Sequence, residues 1–226
     1  MTNKASLEKP TDGLPSVSRR KFLAFAGASS GLVLAGAACR KNNDAGGVDL
    51  GSGDTGILNY AYALEQLEAA FYIQVLNSPY SGITAMETAM LRDIRDHEIA
   101  HREFFKNALG SNAIPGLEVD FSAVNFSSRD SVLSTAKTFE DLGVSAYNGA
   151  GRLLTNPAFL TLAGKIVSVE ARHAAYIRDI ISNGSFANNE VVDAMGLDVI
   201  RTPAQVMAAA DPFIKTSINI SNLPTS

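Results

Sequence analysis

Twice in this chain a glutamate stands three residues ahead of a histidine inside a helical apolar pattern, at Glu98-Ile99-Ala100-His101 and at Glu170-Ala171-Arg172-His173. Residues three and four apart share one face of a helix, so the apolar neighbours fix which way each glutamate points. Glu98 falls four after Ile94, seven after Leu91 and seven before Phe105; Glu170 falls among Ala163, Ile166 and Ile177. Two further acids obey the same rule, Glu65 among Leu58, Ala61 and Tyr72, and Glu140 among Leu133, Ala136, Val144 and Tyr147. Four carboxylates are therefore predicted to face a core. An isolated ionised carboxylate in such a place is heavily penalised, so the fold must neutralise, pair or coordinate all four.

The apolar period predicts an all-α chain of four long helices. The first covers 57–76, with Asp54 or Thr55 as N-cap and Asn77-Ser78-Pro79 as its stop; the second covers 84–109, from a Thr84 cap to Gly110. Residues 110–129 contain Pro and Gly and carry no helical period, which reads as a crossover. The third helix covers 130–154 and breaks at Asn156-Pro157, and the fourth covers 157–182. The halves echo one another: Glu65 precedes Tyr72 by seven residues as Glu140 precedes Tyr147, and each such helix is followed by a Glu-x-x-His helix. Two hairpins related by a pseudo-twofold axis would bring the four acids to one level of the bundle. Beyond 182, Asn183-Gly184 is a stop and Thr202-Pro203 opens a short helical stretch to Ala209. The last fifteen residues read as polar tail, packed along the bundle or frayed.

Charge narrows what can satisfy the four acids. Arg92, Arg95, Arg102, Arg172 and Arg178 fall mostly on the outward faces by the helical step. Two divalent ions would balance four carboxylates, and His101 and His173, one turn beyond their glutamates, would add nitrogen ligands suited to iron or manganese. Glu68, one turn from Glu65, is either the rival ligand or a residue behind it; the seven-residue spacing to Tyr72 favours Glu65. Tyr72 and Tyr147 are candidates to hydrogen-bond the ligand carboxylates or to carry electrons, though a buried tyrosine satisfied by any nearby acceptor fits as well. His97 and Asp96 adjoin the motif but step off its face, and read as surface residues.

With 226 residues and 46% hydrophobic content the chain can bury one substantial core. The segment before Cys39 holds five basic and two acidic residues, leaving the remainder with 14 basic against 21 acidic. Such an acidic body lacks the basic footprint that phosphate contacts need, which argues against nucleic acid as a partner. A single cysteine, Cys39, excludes an internal disulfide framework and a cysteine-built zinc or iron–sulfur site.

Residues 16–38 read as charge, then an apolar run from Phe22 to Ala38, then small residues, the layout of a signal peptide. Ser18-Arg19-Arg20-Lys21-Phe22-Leu23 resembles the twin-arginine translocation motif, with Ala24 where a Lys is common. The run is short against the ~20 residues a membrane span needs. Leu34-Ala35-Gly36-Ala37-Ala38-Cys39 resembles a loose lipobox that would lipidate Cys39, while Ala35-Gly36-Ala37 equally fits a peptidase releasing a soluble product. The expected organisation is a twin-arginine signal peptide with possible lipobox (1–39), a linker (40–56), the bundle (57–182) and a C-terminal extension (183–226). The expected location is the periplasm or envelope.

One Glu from each of two helices and Glu-x-x-His from each of the other two is the ligand set of ferritin-like dimetal carboxylate proteins. Over residues 55–182 the chain resembles ferritin-like domain proteins of the desiccation-related type, through Leu64-Glu65-Gln66-Leu67-Glu68-Ala69-Ala70-Phe71-Tyr72 and Phe139-Glu140-Asp141-Leu142-Gly143-Val144. The resemblance implies a ferritin-like four-helix bundle with a long crossover between its second and third helices. It implies two metal ions, iron favoured and manganese possible, held by Glu65, Glu98, His101, Glu140, Glu170 and His173. The implied chemistry is ferroxidase-like or manganese-catalase-like, with O2 or peroxide as oxidant. The alternative is a non-catalytic stress protein of the envelope whose metals are structural. Twin-arginine export moves proteins already folded, which suits a cofactor inserted before export.

Overall fold

Each helix of the bundle starts where its local chemistry allows. The structure, a computed structural model, describes residues 46–225; the signal-peptide reading and Cys39 lie outside them. The bundle consists of α1 (Gly53–Asn77), α2 (Ala85–Leu109), α3 (Arg129–Gly151) and α4 (Pro157–Ile181). α2 opens on a capping box, in which the Glu87 backbone N–H donates to Thr84 Oγ1 and the Thr84 N–H donates to the Glu87 carboxylate. The other oxygen of Glu87 takes a 2.6 Å bond from Arg129 Nε, joining the starts of α2 and α3. Ser128 and Asn156 cap α3 and α4, the latter with Pro157 at the first position, where its missing N–H costs nothing. Gly110 ends α2 at φ 55°, a conformation that glycine alone adopts freely.

Two boundaries differ from the sequence expectation. α1 starts after Ser52 rather than at Asp54 or Thr55, and without a side-chain cap. Asp54 is used elsewhere: its carboxylate accepts the Thr155 and Asn156 N–H groups at 2.7 and 2.9 Å, tying the α3–α4 connection to the start of α1. The third helix stops at Gly151, and Arg152 and Leu153 continue as a turn.

α1 packs mainly on α2 and α3 on α4, so the bundle is two hairpins laid together. α1 is buried around almost its whole circumference from Ile57 to Val75, and its polar residues therefore need partners within the protein. Asn59 Nδ2 donates to Leu50 O and Asn112 O while its Oδ1 accepts from Ile114 N, and Gln66 Oε1 accepts from Leu117 N. These bonds seat the crossover, which starts with a 3-10 turn at Gly110–Asn112, against α1. Phe71, Phe121, Phe126, Phe139 and Phe213 pack edge to face or tilted on one another where crossover, bundle and tail meet.

The stretch 46–56, read as linker, belongs to this body. Leu50 is fully buried, and β1 (Val48–Asp49) pairs in parallel with β2 (Ile218–Asn219) near the end of the chain. The C-terminal extension is likewise packed: α5 (Pro203–Ala210) lies on α3, and Arg201 N donates to Ser145 O. Leu223 is buried, so this tail docks rather than frays. Among the described residues no helix is long and apolar enough to cross a membrane.

Candidate metal centre

The four core-facing glutamates are all fully buried. α1 supplies Glu65, α2 Glu98 and His101, α3 Glu140, and α4 Glu170 and His173. The arginines do not neutralise them. Arg95 and Arg102 pair with their neighbours Asp96 and Glu103, and Arg172 turns back to Ser168. Arg178, expected on an outward face, is instead buried, where it makes a two-bond pair with Asp141 at 2.8 and 2.7 Å and also reaches Glu190. It spends its charge outside the cluster.

What surrounds the acids is the two imidazoles and two phenols. His101 Nδ1 lies 2.8 Å from Glu170 Oε1, 3.4 Å from Glu65 Oε2 and 3.7 Å from Glu98 Oε2. His173 Nδ1 lies 2.9 Å from Glu98 Oε1, 3.5 Å from Glu140 Oε2 and 3.6 Å from Glu170 Oε2. The phenols cross between the hairpins: Tyr72 donates to Glu140 Oε1 at 2.5 Å, and Tyr147 donates to Glu65 Oε1. Each terminal glutamate thus has one oxygen held by a tyrosine and the other turned inward.

Two overlapping sets result. Glu65, Glu98, His101 and Glu170 bring ligand atoms within 4.8 Å of one another, and so do Glu98, Glu140, Glu170 and His173. Glu98 and Glu170 belong to both sets and would help to hold either ion. A direct test of fit is whether the inward atoms have other partners. Glu65 Oε2, Glu140 Oε2, both oxygens of Glu98 and of Glu170, and Nδ1 of both histidines are buried and make no aligned hydrogen bond. Buried polar atoms are almost always paired, so eight such atoms around one point fit a pair of cations.

The protonation pattern of the metal-free cluster follows from burial. Burial, with Glu170 beside them, pushes the Glu65 and Glu98 carboxyls above the ordinary range, and burial does the same to Glu140. Burial also works against Glu170, but the His101 and His173 imidazoles close beside it outweigh burial and hold Glu170 low. For the imidazoles burial is likewise overcome by the carboxylates, which raise His101 strongly and lift His173 to about 12. Protons therefore stand in for metal charge. Both tyrosines are pushed well above their usual range by burial and by the glutamates they bond, and so remain donors.

Glu68 stands outside both sets. It is buried, and burial together with Glu98, Glu170, Glu140 and Glu65 pushes its carboxyl well above the ordinary range. Its carboxyl fits against Gly143, where an added Cβ would come within 3.1 Å of Glu68 Oε1. Asp96 is exposed, as expected. His97 is exposed too, yet it does more than the surface reading allowed: its Nδ1 lies 2.9 Å from His173 Nε2. All three histidines of the chain therefore meet at the cluster or its edge. The available signal was composition, a third histidine placed directly before a Glu-x-x-His.

A family model described as a ferritin-like domain matches residues 53–183, more than half of the chain. The chain belongs to the ferritin-like family. No curated protein matches it. The match spans α1 to α4 and hence every residue of the two ligand sets, so the ferritin-like bundle and the acidic cluster inside it are one unit.

Proposed function

We propose that this chain is an exported dimetal carboxylate protein of the ferritin-like family, with di-iron redox chemistry in which O2 or peroxide oxidises Fe(II) or another reductant. The observation that carries the reading is the pair of ligand sets sharing Glu98 and Glu170, with their inward atoms buried, facing one another and without an aligned hydrogen bond. Glu65 and His101 would hold one ion and Glu140 and His173 the other. Four carboxylates against two divalent cations leave the cavity near neutrality when Glu68 is protonated, as its burial favours. The ions would supply Lewis acidity and one-electron chemistry. A pair of manganese ions with peroxide as substrate fits the same donors, since borderline nitrogen and hard oxygen ligands suit both metals.

The chain's own groups have definable parts in this. Tyr72 and Tyr147 orient Glu140 and Glu65 and keep Oε1 occupied, so that Oε2 is the oxygen left free to hold an ion. Burial of the four glutamates excludes bulk water, and the partly exposed edge of His101 marks where the surroundings come nearest to the centre. Export through the twin-arginine pathway, possible lipidation at Cys39 and a periplasmic or envelope location belong to the same proposal, supported by Ser18-Arg19-Arg20-Lys21-Phe22-Leu23 and Leu34-Ala35-Gly36-Ala37-Ala38-Cys39.

The test is metal analysis of freshly purified protein, followed by Fe(II) oxidation and peroxide consumption assays on the wild type and on Glu98→Ala/Glu170→Ala. We expect two metal ions per chain and turnover in the wild type, both lost in the double variant. Absence of stoichiometric metal would overturn the dimetal reading. Bound metal without turnover would leave the ions a structural role.

A further inference from the structure

The two halves of the centre are related by a fixed offset in sequence: Glu98 and His101 correspond to Glu170 and His173, 72 residues later. His97 then corresponds to Val169. Around the ligands this is a place where the repeat breaks, and it breaks at a hydrogen bond.

The geometry of that bond defines its direction. The rings of His97 and His173 lie within 10° of parallel with centroids 5.1 Å apart. This is close to the greatest centroid separation that a 2.9 Å contact between ring nitrogens permits, so the nitrogens lie on the line between the rings. The contact is an edge-on hydrogen bond in the ring plane, not a face-to-face stack. Because His173 turns Nδ1 to the carboxylates, its proton as a neutral ligand must sit on Nε2. His97 Nδ1 is then the acceptor, and His97 carries its own proton on Nε2. A metal-ligating histidine whose second nitrogen is held in this way keeps one tautomer and one ring orientation, and gains basicity at the ligating atom.

His101 has no such support. Val169 offers no hydrogen-bonding atom on its side chain, and among the described residues nothing hydrogen-bonds His101 Nε2. Resting on the dimetal reading above, we propose that His97 is a positioning residue for His173, and that this single contact makes the two metal positions unequal. The position of Glu140 and His173 binds its ion more tightly, and fills before the position of Glu65 and His101.

The experiment uses Zn2+ alone, which is redox-inert and diamagnetic, on metal-free full-length protein. Calorimetric titration of the wild type is expected to give two unequal binding steps. Imidazole 15N spectra after the first equivalent should show Nδ1 coordination at His173 with Nε2 protonated, and His101 unchanged. His97→Phe should weaken the tighter step by about 10–100-fold, the usual effect of losing such a supporting contact. The first equivalent should then be shared between the two histidines. His97→Gln, whose amide oxygen can accept from His173 Nε2–H, should restore most of the difference. His97 is exposed, so both variants are expected to fold, with the thermal transition of the metal-free protein as the check. Two equal steps in the wild type, first occupation at His101, or a His97→Phe titration indistinguishable from wild type would each overturn the inference while leaving the dimetal centre standing. A wild type that binds no Zn2+ would remove both.

Discussion

At the scale of single residues, the centre is built by giving each buried oxygen one assigned task. Tyr72 and Tyr147 are the sharpest case, because each donates to the glutamate of the opposite hairpin. Tyr72→Phe or Tyr147→Phe keeps the shape but leaves a buried carboxylate oxygen without its donor. Each variant is expected to lower the stability of the metal-free protein by about 1–3 kcal/mol, read from the urea midpoint at unchanged slope. An unchanged midpoint would mean that the freed oxygen finds another partner. At this scale much was legible. Glu98, Glu140 and Glu170 announce themselves because an acid on an apolar stripe cannot be solvated, and the repeat of Glu-x-x-His supplies the imidazoles. His97 was not legible. The helical step shows that it leaves the Glu98 face, but no local rule tells which neighbouring helix waits there. Arg178 eluded the same rule, since Asp141 lies on a different helix.

At the scale of elements, the four long helices were readable from period and punctuation: Thr84, Gly110 and Asn156-Pro157 all mark boundaries. The pieces that wrap them were not. β1 and β2 are two residues each and pair across the length of the chain, which leaves no periodicity to detect. The C-terminal extension is held by backbone contacts that sequence patterns do not encode. Arg201 passes so close to α3 that a Cβ on Gly149 would lie 1.8 Å from its carbonyl oxygen. Gly149→Ala is therefore expected to displace residues around Arg201 and cost about 1–3 kcal/mol, the usual penalty for overpacking. Amide exchange separates this from a general loss of stability: protection should fall first in α5 and near Arg201, with α1 and α2 retained. Uniform loss across the bundle would show that the extension is no separate layer.

For the whole molecule, the buried acids set the dependence of stability on pH. Raised carboxyls at Glu65, Glu68, Glu98 and Glu140 mean that the metal-free folded state binds more protons than the unfolded chain above the ordinary glutamate range. The imidazoles act in the same sense, with stability fully present below their ordinary value of 6.5 and lost as pH rises toward the folded value, about 12 for His173. Glu170 opposes them, being held low. The sum predicts that metal-free protein is more stable near about pH 5 than near about pH 8, since stability falls with pH wherever the native state holds more protons. Metal binding displaces those protons, so its affinity should rise over the same interval and flatten or invert the trend. Thermal melts with and without metal across this range test both statements. A metal-free protein that gains stability toward alkaline pH would contradict the assignment of protons to the cluster.

The repeat carries a consequence for symmetry. A lone hairpin pairing with an identical copy would face itself across a true twofold axis, presenting every feature twice. Such a homodimer could supply two Glu-x-x-His helices and two Glu–Tyr helices, but it could not place Glu68 opposite a glycine at the corresponding Gly143, nor a histidine opposite Val169. Those differences require two halves of different sequence, and a single chain that carries both supplies them. Carrying both halves in one chain leaves this centre free to have two dissimilar sides.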